Sequence, residues 1–170
     1  GNVSTVFVHE NQILRKPFRL AGWWGHKLKN RFRLQNKFTP IPTAEGWQLS
    51  NAPVFGMAVY RKSLDLFCEL GMSKLIEKRI SLSAYLEDAI TDFNLQSSGS
   101  QIKIITPGSA KQRGAQLSIL LKNKDVYNNL KNSGVYADWR EPNVMRISVV
   151  PMYNSYEDIA KFYKLLFECI

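Results

Sequence analysis

Apolar residues recur at helical spacing from Lys62 onward, at Leu64, Phe67, Leu70, Leu75, Ile76, Ile80, Leu82, Leu86 and Ile90. The pattern predicts a long helical stretch with Gly71 as a break. Ser63 stands where its hydroxyl can cap the first turn. The polar run Gln96-Ser97-Ser98-Gly99-Ser100 reads as a turn or loop. Ile102–Thr106 and Ala115–Leu121 alternate or run apolar as strands do, and Pro107–Gly114 connects them. Asp125 begins a short helix with Val126, Leu130 and Val135 on its apolar side and Gly134 as its stop. Val135–Ala137 and Met145–Val149 read as strands flanking the turn Glu141-Pro142-Asn143. Ser155 caps a last helix whose inner face is Ile159, Phe162, Leu165, Leu166 and Cys169. Helix, strand, strand, helix, strand, strand, helix predicts an α+β fold, with helices packed on a small antiparallel or mixed sheet.

Residues 1 to about 60 read differently. They hold every tryptophan except Trp139 and four of the seven prolines, and Pro17, Pro40, Pro42 and Pro53 interrupt regular elements. Val3–Val8 reads as a short strand or a buried turn. With no continuous apolar face, this part is expected to be loops that lie on a larger body. The change of pattern divides the chain into residues 1–60 and 61–170.

At 170 residues, with 45% hydrophobic and 22% charged residues, the composition is that of an ordinary folded protein. Apolar runs such as Val54–Tyr60 and Leu117–Leu121 are much shorter than the roughly 18 residues of a membrane helix. No secretory leader pattern opens the chain, and Cys68 and Cys169 read as free thiols; both suit a cytoplasmic protein. The net charge of +9 raises the prospect of nucleic acid, with Lys27, Lys29, Arg31, Arg33 and Lys37 clustered near Trp23 and Trp24. The basic residues are spread over several elements, however, and no nucleic-acid partner is expected.

Candidate chemistry is sparse. His9 and His26 have no second ligand at metal-binding spacing, and no P-loop, GxGxxG unit or GxSxG turn is present. Three local features remain. In Gly22-Trp23-Trp24-Gly25-His26, glycines permit close backbone approach to a ligand and an indole N–H can donate to an anion; packed core aromatics are the alternative. In Leu49-Ser50-Asn51-Ala52-Pro53, Asn51 can orient a ligand or be an ordinary turn residue. Arg146 lies inside the strand pattern Val144–Val149, where its fork suits a carboxylate ligand or a structural pair.

Together these segments resemble kynureninase. The matching stretches are Phe7-Val8-His9-Glu10, Gly22–His26 with Arg31-Phe32, Leu49–Pro53, Ile104–Pro107, Arg113–Leu117, and Arg146 followed by Val150–Ser155. The resemblance implies a pyridoxal phosphate (PLP) enzyme of the aminotransferase-like fold. Residues 1–60 would be the end of its large PLP-binding domain and residues 61–170 its C-terminal small domain. It implies hydrolytic cleavage of L-kynurenine, or of 3-hydroxykynurenine, to an anthranilate and L-alanine, in tryptophan degradation and NAD biosynthesis. A cytoplasmic homodimer is expected, with no membrane partner and no metal. The family's Schiff-base lysine is expected upstream of Gly1, so the chain alone is expected to be inactive. By the same resemblance Trp23 and Asn51 contact the cofactor, while Arg146, Ser50 and His26 contact the substrate, with Trp24 as an aromatic neighbour. Two other readings stay open: a PLP enzyme of the cysteine desulfurase or aminotransferase type, and a non-enzymatic basic binding module.

Overall fold

The computed structural model describes residues 3–33, 35–97, 99 and 101–170. The chain divides into two compact units, Gly1–Glu69 and Leu70–Ile170.

In the first unit, α1 (Glu10–Leu14), α2 (Leu28–Arg31) and a 3₁₀ turn (Ala44–Trp47) interrupt long stretches of loop, and α3 (Val54–Leu70) closes the unit. Two expectations are corrected here. Val3–Val8 is neither strand nor buried turn: it forms no ladder among the described residues, and Val6 and Phe7 are exposed. Ser63 does not cap a helix, because α3 begins nine residues earlier, where the Pro53 carbonyl accepts the Met57 N–H. Proline suits that boundary, since its missing N–H would have no helical partner there. No residue of α3 is buried.

In the second unit the expected order holds: α4 (Met72–Gln96), β1 (Lys103–Ile104), β2 (Gln116–Leu120), α5 (Lys124–Asn132), β3 (Asp138–Arg140), β4 (Val144–Ser148) and α6 (Tyr156–Cys169). Gly71 separates α3 from α4 at φ 79°, a conformation glycine adopts without a Cβ penalty. Of the polar run after α4, Ser98 and Ser100 lie outside the described residues, and Ser97 is the helix C-cap. The first residue of α5 is Lys124 rather than Asp125, because the Asn123 side chain accepts the Val126 N–H as N-cap. Gly134, at φ 92°, ends this helix as expected.

The sheet is wholly antiparallel, in the order β1-β2-β4-β3. One strand differs from expectation: β3 is Asp138–Arg140, not Val135–Ala137. The Val135 N–H is spent on the Leu130 carbonyl and the Ala137 carbonyl on the Tyr127 hydroxyl, so neither group is left for a ladder. Strand alternation sends Leu117 and Ile119 of β2, opposite Ile147 and Met145 of β4, into one core. Leu82, Leu86, Ile90 and Phe93 of α4, Leu130 of α5 and Ile159 and Leu166 of α6 cover that face. The opposite face carries, side by side across three strands, Ser118, Arg146 and Asp138.

The start of α6 is a full capping box. Ser155 Oγ accepts the Asp158 N–H, and Asp158 Oδ2 accepts the Ser155 N–H at 2.8 Å. The Ser155 N–H bond first, then the bond that Ser155 Oγ donates to Oδ2 at 3.2 Å, lower the Asp158 carboxyl below its usual 3.8 against an opposing effect of burial. A depressed folded-state value means that this contribution is complete above the unfolded value and is lost as pH falls through the folded one. Ser155→Ala, which removes the N-cap acceptor, is expected to cost about 1 kcal/mol. Wild type should lose on acidification a stability increment that Asp158→Asn does not lose. Denaturation followed by circular dichroism at neutral and acidic pH checks both.

Candidate functional site

The candidate residues fall in both units. In the first, Gly22–His26 and Gly46–Asn51 are held against each other by backbone. Gly25 N–H donates to the Gln48 carbonyl at 2.8 Å and the Ile41 N–H donates to the Gly25 carbonyl at 2.9 Å. The approach is closest at the glycines. A Cβ on Gly22 would lie 2.2 Å from Leu49 Cα, and one on Gly25 would lie 2.5 Å from the Gly46 carbonyl oxygen. These glycines make room for the meeting of two chain segments. The Trp23 turn thereby meets the segment that carries Ser50 and Asn51, both exposed. Gly22→Ala is expected to force the segments apart at a cost of about 1–3 kcal/mol. A lowered melting temperature with a shifted tryptophan emission would show it.

Trp23 and Trp24 meet edge to face at 5.2 Å, and Trp23 also meets Phe32 at 5.6 Å. Trp24 is half-buried under Arg31, whose guanidinium lies 4.3 Å from the indole and donates to the Trp24 carbonyl at 2.7 Å. Arg31 is thereby withdrawn from the basic cluster read in the sequence. Trp23 stays 44% exposed, leaving a large amphipathic side chain on the surface of this turn.

His26 is only 7% exposed. Thr39 engages its Nδ1 through both backbone groups, the carbonyl oxygen at 2.7 Å and the N–H at 3.2 Å. The other ring nitrogen, Nε2, is buried without a protein partner. Beside it, Phe38 lies 5.6 Å from the imidazole and 5.7 Å from the Arg19 guanidinium, which sits 4.0 Å over Trp47. Arg19 Nη1 is likewise buried and unpaired. Arg19 had no signal in the sequence, since it stands alone in a loop and its stacking partner is 28 positions on.

Arg146 belongs to the second unit, at the centre of β4. Its Nε and Nη2 both donate to Asp138 Oδ2 of β3, the former at 2.6 Å, and Arg140 Nε donates to the same oxygen at 3.0 Å. The Arg146 hydrogen bond, helped by the fields of both arginines, holds the Asp138 carboxyl below its usual 3.8. The cleft of about 700 Å³ between the end of β4 and α6 contains none of the candidate residues. Among the described residues, no group of three or more His, Cys, Asp or Glu gathers where it could hold a metal. Among the same residues no helix is long and apolar enough to cross a membrane. Both cysteines are free.

The chain is similar to known proteins along nearly its whole length. It is 42% identical to the kynureninase of Christiangramia forsetii over 169 residues, which make up 98% of this chain and 40% of that protein. It is 40% identical to the kynureninase of Flavobacterium psychrophilum over the same shares. With that of Xanthomonas oryzae pv. oryzae the identity is 41%, covering 95% of this chain and 38% of the relative. The chain thus spans about two fifths of the length of these curated relatives. A solved structure of a C-DES mutant, with glycine covalently linked to its PLP cofactor, matches 96% of this chain and 41% of its own, with a TM-score of 0.63 and 14% identity. That likeness is one of fold, the aminotransferase-like one expected above. The model of the kynureninase C-terminal domain matches residues 75–166, and the chain belongs to the kynureninase family.

Proposed function

We propose that this chain is the C-terminal part of a PLP-dependent kynureninase, which hydrolyses L-kynurenine or its 3-hydroxy form to an anthranilate and L-alanine. The observation that carries the reading is Arg146. A guanidinium on a sheet face already grips one carboxylate through Nε and Nη2, and the Nη1/Nη2 end of its fork remains for the carboxylate of an amino acid. The first unit fits a phosphate-bearing cofactor and an aromatic substrate, because it offers an exposed indole, exposed amide and hydroxyl groups, and a buried unpaired imidazole nitrogen.

PLP, when bound, supplies the electron sink for carbon–carbon cleavage, and a Schiff-base lysine would come from sequence upstream of these residues. The chain's own residues bind and orient. Trp23 would hold the cofactor phosphate through its indole N–H, and Asn51, with Ser50 beside it, would contact the cofactor near the substrate ring. His26, whose Nε2 has no protein partner, would face the substrate's aromatic ring, and Trp24 backs the turn. Arg146 takes the α-carboxylate and so sets which end of the amino acid faces the chemistry.

The reading extends to a cytoplasmic homodimer serving tryptophan degradation and NAD biosynthesis. It takes residues 1–60 as the end of the large domain and 61–170 as the small domain. Helix α3, with no buried residue and with Val54, Phe55 and Val59 exposed, supports a larger body that covers it. The test is to load the intact protein with PLP, add L-kynurenine and follow anthranilate fluorescence. Release of anthranilate with alanine supports the reading, and cofactor binding without anthranilate overturns it.

A further inference from the structure

We infer that Asp138 is a positioning residue for Arg146, gripping one edge of its guanidinium so that the other edge is presented to the substrate's α-carboxylate. The inference rests on the functional reading above and adds a residue to it.

The backbone brings the two residues within reach. Asp138 and Arg146 are register partners on the antiparallel β3–β4 pair, so their side chains leave the same face of the sheet about 5 Å apart. Ser118 is the register partner on the other side, from β2, and presents no charge to compete for the guanidinium. Arginine has many rotamers, whereas aspartate on a strand has few. A short carboxylate one strand away therefore selects a single arrangement of the long side chain before any ligand arrives.

The bonds used are as telling as the partner. Both recorded contacts come from the Nε–Nη2 edge, and both go to the same oxygen, Oδ2. Nη1 and the outward N–H of Nη2 form the second edge of a planar fork, whose two parallel donors match the two oxygens of a carboxylate. Charge points the same way. Asp138 is shared by Arg146 and Arg140, so two positive groups stand against one negative and the cluster keeps attraction for a further anion. The Asp138 carboxyl is held ionised by these contacts, with the Arg146 hydrogen bond the largest, so the grip persists at neutral pH. The Arg146 side chain stays 34% exposed, so its free edge is open to a ligand.

The test uses the intact PLP-loaded enzyme, L-kynurenine as substrate and kynuramine, which is kynurenine without the α-carboxylate, as competitor. Asp138→Asn keeps the shape and removes the charge. It is expected to raise KM for kynurenine about tenfold, to change kcat less than about threefold, and to leave kynuramine inhibition as it was. Asp138→Glu, which restores the charge at a different reach, is expected to recover part of the loss. A KM that stays or falls on Asp138→Asn overturns the inference. So does a parallel loss of kynurenine and kynuramine binding, which would mark a merely structural ion pair. If wild-type enzyme binds PLP and yields no anthranilate, the functional reading fails and this inference fails with it. If wild type is active and Asp138→Asn is indistinguishable from it, the inference alone fails.

Discussion

Replacing Arg146 by lysine in the intact protein is expected to lower kcat/KM for L-kynurenine about 100-fold. The cause is geometric. Lysine keeps the positive charge but presents a point charge where the fork had parallel donors, so a bidentate pair becomes at best a single hydrogen bond. A hydrogen bond to a charged group contributes about 1.5–3 kcal/mol, and each 1.4 kcal/mol is tenfold in rate or affinity. The substitution also loosens Asp138, which now holds Arg146 through two donors. Steady-state kinetics on the PLP-loaded enzyme checks it. An unchanged kcat/KM would mean that Arg146 is a structural partner of Asp138 and that the amino-acid carboxylate is bound elsewhere.

The largest loss of stability is expected at Phe93. It is 1% exposed in the last turns of α4, inside the core between helices and sheet, with its ring 4.8 Å from that of Phe167 on α6. Truncation to alanine removes a large apolar side chain from a packed site that can only partly collapse, at about 3–5 kcal/mol. The same truncation at Phe55, 90% exposed on α3, is expected to change the stability of this chain by less than about 0.5 kcal/mol. Urea unfolding of the two variants beside wild type checks the contrast. Equal midpoints for both would mean that the α4–α6 contact contributes little.

Those two phenylalanines mark what local pattern can and cannot say. The helical spacing from Leu64 to Ile90 was legible, but it included Ile76 and Ile80, which are 44% and 43% exposed, alongside Leu82 and Leu86, which are buried. Spacing shows which residues share a stripe. Burial depends on what packs against the stripe, and that is decided by elements distant in sequence. The candidate site divides along the same line. Arg146 drew attention because a charge within a strand pattern is costly unless it is paired, and the structure supplies the pair. Its partner Asp138 did not draw attention. It sat one residue past an expected strand whose backbone groups turned out to be committed to α5 and to Tyr127.

The sequence by itself determined the order of elements in the second unit, the breaks at Gly71 and Gly134, the cap at Ser155 and the family. Each depends on residues a few positions apart, or on the order of short motifs along the chain. Only the tertiary structure decided that Gly22 and Gly25 make room for Leu49 and Gly46 and that Arg19 stacks on Trp47. It also decided that Thr39 meets the His26 ring, and that the strands run β1-β2-β4-β3 so that Asp138 faces Arg146. These contacts join residues from 8 to 28 positions apart. Periodicity carries no record of such pairings, because they exist only once the backbone has brought both partners to one place.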